Sequence, residues 1–354
     1  MNKFNPWAGR VDTSWSRRQF LGKGSFAAMG VMPIGASLAF ADQKKTEKSF
    51  ELEEGKVKTG WLWDDRFLQH FQEKGHPESP ERLRAIRRQM KSSGLEKEMV
   101  PLRASVDPDP YIKLVHSNDH IKKVKEQAYD DEICRLAVSG GLSAVEAVCS
   151  GVVRNAFCAI RPPGHHAANR GEHGFCFYNN IAVAARYAQK KFGLKRILIV
   201  DWDYHHGDGT EWAFYDDPSV LFFSTHALRV FPGTGSAGRK GSGPGEGFNI
   251  NVPLPRGAGD REILKAFSEI LLPAAEKFKP ELVLISAGFD ARKDDLLGDF
   301  RVTDEGFAEL TRLVMQISKR DAESRLVSFL EGGYNTQGLA LGVESHVKAL
   351  MEKD

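Results

Sequence analysis

Six short apolar runs punctuate the chain beyond residue 60: Ala156–Arg161, Arg196–Asp201, Val220–Thr225, Phe248–Pro253, Leu282–Ala287 and Arg325–Leu330. Each is continuous rather than alternating, the pattern of a strand buried on both faces. Between and before them, apolar positions recur at helical spacing over Pro80–Ser92, Asn118–Ala128, Leu142–Ser150, Asn179–Phe192, Asp260–Phe278, Asp304–Lys319 and Gly338–Met351. Strands alternating with helices predict an α/β fold, a single three-layer α/β/α domain around a mainly parallel sheet. There is no internal repeat, and no Pro/Gly/Ser linker long enough to divide residues 59–354. The longest irregular piece, Phe231 to Gly247, is glycine-rich, follows a strand and reads as a binding loop.

The first 58 residues break this pattern. Ser16-Arg17-Arg18-Gln19-Phe20-Leu21 is a twin-arginine motif, followed by a moderately apolar stretch from Phe26 to Phe40 and a small-x-small site at Ala39-Phe40-Ala41. Residues 1–41 therefore read as a twin-arginine signal peptide and 42–58 as a charged linker, predicting a bacterial periplasmic protein. The apolar stretch is interrupted by Gly30, Pro33 and Gly35 and is short for a membrane span, so no stable anchor is expected after cleavage.

The signal also changes how charge is read. The whole chain has 49 Lys+Arg against 47 Asp+Glu, but residues 1–41 hold five of those cations and one anion. The remainder carries 44 against 46, a net of −2, which argues against a nonspecific nucleic-acid binder. The four cysteines, at 134, 149, 158 and 176, lack CxxC spacing, so neither a thiol zinc motif nor a redox motif is indicated. Cys158 and Cys176 lie in apolar surroundings and read as buried free thiols.

Candidate chemistry lies just after the apolar runs. Ala159-Ile160 leads into Arg161-Pro-Pro-Gly-His165-His166, and Ile199-Val200 into Asp201-Trp-Asp203-Tyr-His205-His206. Leu284-Ile285-Ser286 leads into Ala287-Gly-Phe-Asp290, and Phe329-Leu330 into Glu331-Gly-Gly-Tyr334. In a parallel sheet these strand ends share one rim, so the four clusters converge. Asp203, His205 and Asp290 would then give a metal two carboxylates and one imidazole with a position left open, a catalytic zinc pattern. His165-His166 adds acid–base capacity, Asp201 and Asp208 are spare carboxylates able to orient the two histidines, and Tyr334 in a flexible turn offers a phenol to an oxyanion. His70, His116, His120 and His346 lack such support and read as structural or surface residues.

Six motifs in order resemble the histone deacetylase family, which includes bacterial acetylpolyamine amidohydrolases and other deacetylase-like amidohydrolases. They are Arg161-Pro-Pro-Gly-His-His166, Gly174-Phe-Cys-Phe-Tyr-Asn-Asn180, Asp201 to Thr210, Phe231-Pro-Gly-Thr-Gly235, Ser286-Ala-Gly-Phe-Asp290 and Glu331-Gly-Gly-Tyr334. His76-Pro-Glu-Ser-Pro-Glu-Arg82 and Asp201-Trp-Asp203 resemble its class II and bacterial branch. The resemblance implies the arginase/deacetylase fold and zinc-dependent hydrolysis of an N-acetyl or short N-acyl amide. Zinc would sit on Asp203, His205 and Asp290, and His166 would be the general base and then protonate the leaving amine. His165 would pair with Asp201, and Asp208 with His166, while Tyr334 would donate to the oxyanion. Gly174, Phe175, Phe231 and Leu297 would belong to the substrate channel and Arg82 to an internal channel beneath it. A potassium ion is implied on main-chain carbonyls around Asp201, Asp203 and His205 and on the Ser224 side chain, whereas His206, Trp202 and Tyr204 would be structural.

The sequence also departs from the family pattern. Asp208 stands where many class II relatives carry Asn, and Asp294-Asp295-Leu296-Leu297-Gly298 lacks the usual proline. Leu297 occupies the place of a gatekeeping glutamate found in polyamine-selecting members, which argues against cationic polyamines. An acidic residue that grips substrate belongs near Asp130-Asp131-Glu132, with the choice among the three open. The expected partner is an acylated small amine or an acyl-lysine peptide. The competing expectations are an acetylpolyamine amidohydrolase, a noncatalytic ligand-binding member and a two-manganese ureohydrolase.

Overall fold

The computed structural model describes residues 59–128 and 130–352. The expected signal peptide and linker lie outside them. Eight strands form one sheet: β1 (Thr59–Leu62), β2 (Val100–Leu102), β3 (Asn155–Cys158), β4 (Ile197–Asp201), β5 (Val220–Ala227), β6 (Asn249–Leu254), β7 (Leu282–Ala287) and β8 (Leu326–Leu330). Their order is β2-β1-β3-β8-β7-β4-β5-β6, and every neighbouring pair is parallel. The helices are α1 (Pro80–Ser92), α2 (Leu95–Glu98), α3 (Asp109–Ile112), α4 (Asn118–Gln127), α5 (Asp131–Cys149), α6 (Asn180–Phe192), α7 (Asp208–Phe214), α8 (Asp260–Ala266), α9 (Leu272–Phe278), α10 (Asp304–Asp321) and α11 (Thr336–Leu350). α5 packs on α6, while α1 and α10 flank α11, giving the helical layers of the α/β/α sandwich.

Five of the six predicted strands form within two residues of their apolar runs and β3 ends three residues early, at Cys158; all but the edge strand β6 are buried throughout. β1 and β2 were not anticipated. They are four and three residues long, too short for periodicity to register, and β2 is an edge strand that tolerates Pro101. The helix expected over Leu142–Ser150 starts eleven residues earlier, at Asp131. Ser139-Gly140-Gly141 reads as a breaker, yet the two glycines lie against Leu62 and Phe329, letting α5 press flat on the sheet. Over Asp260–Phe278 the helix persists but widens to a π turn at Phe267–Leu271. Pro273, with no N–H and a ring that crowds the preceding turn, accounts for the widening.

Register sets the position of the site. Asp201 at the end of β4 pairs with Ser286 of β7 and Ser224 of β5, and Ser286 pairs with Phe329 of β8. The C-terminal ends of β3, β8, β7 and β4, four adjacent strands, therefore open onto one rim, as expected for ligand sites in parallel sheets. Among the described residues no helix is long and apolar enough to cross a membrane.

Candidate active site and metal centre

Beyond that rim the chain runs from Asp201 through Asp203 to His205, and the ligand atoms of Asp203, His205 and Asp290 come within 4.8 Å of one another. His205 Nδ1 is 3.2 Å from Asp203 Oδ1 and 2.9 Å from Asp290 Oδ2. Backbone amides fix the carboxylates: Gly332 N–H donates to Asp203 Oδ2 at 2.8 Å and Tyr204 N–H to Asp290 Oδ1 at 2.9 Å. Glycine makes this crowding possible, since a β-carbon at Gly288 would collide with Asp203 and one at Gly332 with both carboxylates.

The electrostatics match a cation site. Burial pushes Asp290 up to about 7, and the charge of Asp203 adds to the push. Burial opposes the charge on His205, but the two carboxylates raise it to about 10. Two buried carboxylates thus share a proton through one imidazole, in the space where a divalent cation would satisfy all three. Two oxygen donors and one nitrogen, without sulfur, fit zinc with an open coordination position.

Beside this cluster, the loop after β3 places the His165 and His166 rings 4.0 Å apart. His165 Nδ1 meets Asp201 Oδ2 at 3.0 Å and His166 Nδ1 meets Asp208 Oδ1 at 2.8 Å, so both expected dyads are formed. The two histidines titrate in opposite directions. Burial lowers His166 to about 3, helped by the charge on His165, whereas for His165 burial is outweighed by Asp203, Asp201 and Glu331, which raise it well above 6.5. His166 is therefore the neutral imidazole of the pair and His165 the charged one. Asp208 is the first residue of α7 and is also held by Arg170, with His173 Nε2 3.6 Å from its Oδ2.

Tyr334 is buried, and its turn is braced rather than flexible as expected. Asp295 Oδ2 accepts from Tyr334 N–H at 2.7 Å and Asn335 N–H at 3.0 Å, and the Arg82 guanidinium lies 5.1 Å from the Tyr334 ring. Burial and the nearby Asp290 raise the phenol well above its ordinary value, keeping it a donor. Arg82 is fully buried beneath and donates to the carbonyls of Gly333, at 2.6 Å, and Glu331, at 2.5 Å.

The expected channel residues surround this centre. Phe231 contacts the rings of His166 and His205 at 5.1 and 6.0 Å, Phe175 lies edge-on to Tyr334 at 6.0 Å, and Gly174 lies against His166. Phe231, in contact with both rings, is 47% exposed and so lies at the mouth; Leu297 is 43% exposed, and its N–H donates to Asp295 Oδ1. Only the start of the Phe231–Gly247 loop reaches the site; farther along, Arg239 bonds to Glu211. His206 is structural as expected, bonded to Thr234 and Asn251, and Trp202 and Tyr204 are buried. Ser224 Oγ is buried, 2.9 Å from His226 Nδ1.

Several supporting residues were missed. Glu331 Oε2 accepts from Gly164 and His165 N–H at 2.7 and 3.1 Å, fixing the His165-His166 loop, and burial pushes its carboxyl up to about 7. A carboxylate at a predicted strand end was the available signal. Asp295, Arg170 and His173 left no signal, because their partners lie far away in sequence. The four histidines set aside as structural or surface are all buried. Among the acidic candidates, Asp130 bonds to His70 and Phe71 N–H, and Asp131 accepts from Tyr178 and Arg135. All four cysteines are free, Cys158 and Cys176 fully buried.

Comparison with known proteins places this geometry. The histone deacetylase domain matches residues 76–350. A probable deacetylase of Archaeoglobus fulgidus is 37% identical over 299 residues, spanning 79% of this chain and 82% of that protein. Human polyamine deacetylase HDAC10 is 39% identical over 320 residues, covering 83% of this chain but 46% of its own length. The crystal structure of the HDA15 HD domain superposes with a TM-score of 0.78 at 36% identity, covering 83% of this chain and 88% of that one. With the domain matched across most of the chain, the sheet shared and the converging motifs in family order, the chain belongs to the histone deacetylase family.

Proposed function

We propose that the chain is a zinc-dependent deacylase that hydrolyses an N-acetyl or short N-acyl amide on a lysine-like or small amine. The observation that carries this reading is the Asp203–His205–Asp290 cluster beside a neutral, Asp208-bound His166. Zinc, when bound, supplies a Lewis acid that polarises the acyl carbonyl and makes water more acidic. His166 takes the proton as water oxygen adds to the carbonyl carbon, then returns it to the leaving nitrogen as the C–N bond breaks; the products are a carboxylic acid and an amine. Asp208 holds the imidazole tautomer that leaves Nε2 free to accept. His165, hydrogen-bonded to Asp201 and held protonated by Asp203, Asp201 and Glu331, favours the negative charge that develops nearby, and the Tyr334 hydroxyl donates to the oxyanion. Phe175 and Phe231 flank the approach with apolar surface suited to an alkyl stem.

A potassium ion on the carbonyls of Asp201, Asp203 and His205 with Ser224, and export by the twin-arginine route, belong to the same proposal. Acetylpolyamines are the second substrate reading. The human relative named a polyamine deacetylase favours them, whereas Leu297, at the position of the family's gatekeeping glutamate, offers no charge to a cationic carrier.

The test is turnover of an acetyl-lysine peptide and an acetylpolyamine panel by zinc-loaded protein, with and without chelator and with His166→Ala as control. Chelator-sensitive hydrolysis that disappears in His166→Ala supports the proposal. No turnover of any acylated amine overturns it, and the ranking by kcat/KM separates the two substrate classes.

A further inference from the structure

A second cluster has the same ligand spacing as the first. His70 Nδ1, an Asp130 carboxylate oxygen and Cys134 Sγ lie within 4.8 Å of one another. Among the described residues, only this group and Asp203–His205–Asp290 bring three such donors so close. His70 follows the 3-10 turn Asp65–Gln69, while Asp130 caps α5 and Cys134 lies in its first turn. Cys134 N–H bonds to Asp130 O at 3.3 Å, so the two side chains leave the helix start on one face. The His70 Nδ1 to Asp130 Oδ1 distance of 2.9 Å equals that of His205 Nδ1 to Asp290 Oδ2. Phe71 N–H holds the other Asp130 oxygen, which aims Oδ1 at the imidazole.

An independent observation lies on the far side of the His70 ring. Glu78 is fully buried; its Oε1 binds Arg161 and Arg82, but its Oε2 has no hydrogen-bond partner and lies 4.0 Å from His70 Nε2. At that distance the carboxylate acts on His70 through charge rather than a hydrogen bond, while Gln72 Nε2 lies 3.4 Å from the same ring nitrogen. A cavity of about 410 Å³ lined by His70, His76, Asp130 and Phe175 opens beside two of the three donors.

We infer that His70, Asp130 and Cys134 form a second divalent-metal site, of zinc type, outside the catalytic centre. Mixed nitrogen, oxygen and sulfur donors suit zinc over magnesium or calcium. Burial, with Asp130 and Asp131 nearby, pushes the Cys134 thiol well up, so binding releases its proton and strengthens as pH rises. The bound ion would join the segment before α1 to the start of α5. That segment carries His76, whose ring lies 4.6 Å from Phe175, so the site would brace one wall of the substrate channel.

Cobalt tests this independently of activity. A thiolate bound to Co(II) gives a near-ultraviolet charge-transfer band, which a sulfur-free centre of Asp203, His205 and Asp290 cannot give. The reduced full chain loaded with Co(II) is expected to hold two ions and show the band. Cys134→Ser should lose the band and one ion, Cys149→Ser should keep both, and Asp290→Asn should lose one ion but keep the band. Absence of the band from the wild-type chain, or its persistence in Cys134→Ser, overturns the inference. If Cys134→Ser does not fold, the wild-type stoichiometry and spectrum decide: two ions with the band support the site, one ion without it removes it.

Discussion

Two side chains share the proposed chemistry, and they differ in how they are held. His166 is bound by a carboxylate at one nitrogen, whereas Tyr334 is set by the backbone turn that Asp295 and Arg82 brace. Tyr334→Phe removes a hydroxyl without disturbing that turn, so the expected loss falls on kcat, about 10²–10³-fold, with KM little changed. His166→Ala should cost about 10²–10⁴-fold through loss of proton transfer. Steady-state kinetics on an acetyl-lysine peptide checks both, and a Tyr334→Phe effect confined to KM would remove the oxyanion role. At this scale the sequence was informative where residues sit at strand ends, because a parallel sheet brings Asp203, His205 and Asp290 together irrespective of their separation along the chain. It was silent on Asp295, Arg170 and His173, whose partners Tyr334 and Asp208 lie in distant segments and leave no local pattern.

Among elements, the long apolar strands and amphipathic helices were legible and the short or glycine-bearing ones were not. β1 and β2 are recruited by pairing with β3 and with each other, a tertiary effect that no short window contains. α11 illustrates a buried helix with a titratable residue at its core. His346 lies between Thr311 Oγ1 of α10, at 2.7 Å, and Ser328 Oγ of β8, at 2.8 Å, amid the rings of Phe157, Trp202 and Phe289. Burial alone lowers it to about 3. Its folded value is below the unfolded one, so its contribution is present above about pH 6.5 and is lost as pH falls towards 3. From pH 7 to 5, wild type should lose roughly 2 kcal/mol more unfolding free energy than His346→Gln. Urea unfolding of both proteins at the two pH values measures this difference, and parallel losses would contradict it.

For the molecule as a whole, four fully buried carboxylates, Asp201, Asp203, Asp290 and Glu331, gather at one end of the sheet. Without a divalent cation, protons offset this charge: burial raises Asp290 and Glu331 to about 7, and, against its burial, Asp203 and Asp290 raise His205 to about 10. For the two carboxyls the folded value is above the unfolded one, so their contribution is complete below about pH 4 and is lost as pH rises through 7. The contribution of these two carboxyls to the metal-free protein is therefore lost across this range, where a cation that binds only the folded chain gains most at their site. At free zinc a thousand times its Kd, that gain is about 4 kcal/mol, several degrees in Tm for a domain of this size. Chelation should accordingly lower Tm more at pH 8 than at pH 6, and added zinc should restore it. Repeating the measurement in Cys134→Ser separates the catalytic centre from the inferred second site. The remaining shift should persist there and disappear when Asp290→Asn is added to that variant, because the Asp203–His205–Asp290 centre is then lost as well. A Tm indifferent to chelator at both pH values would mean that protons alone stabilise that end of the sheet.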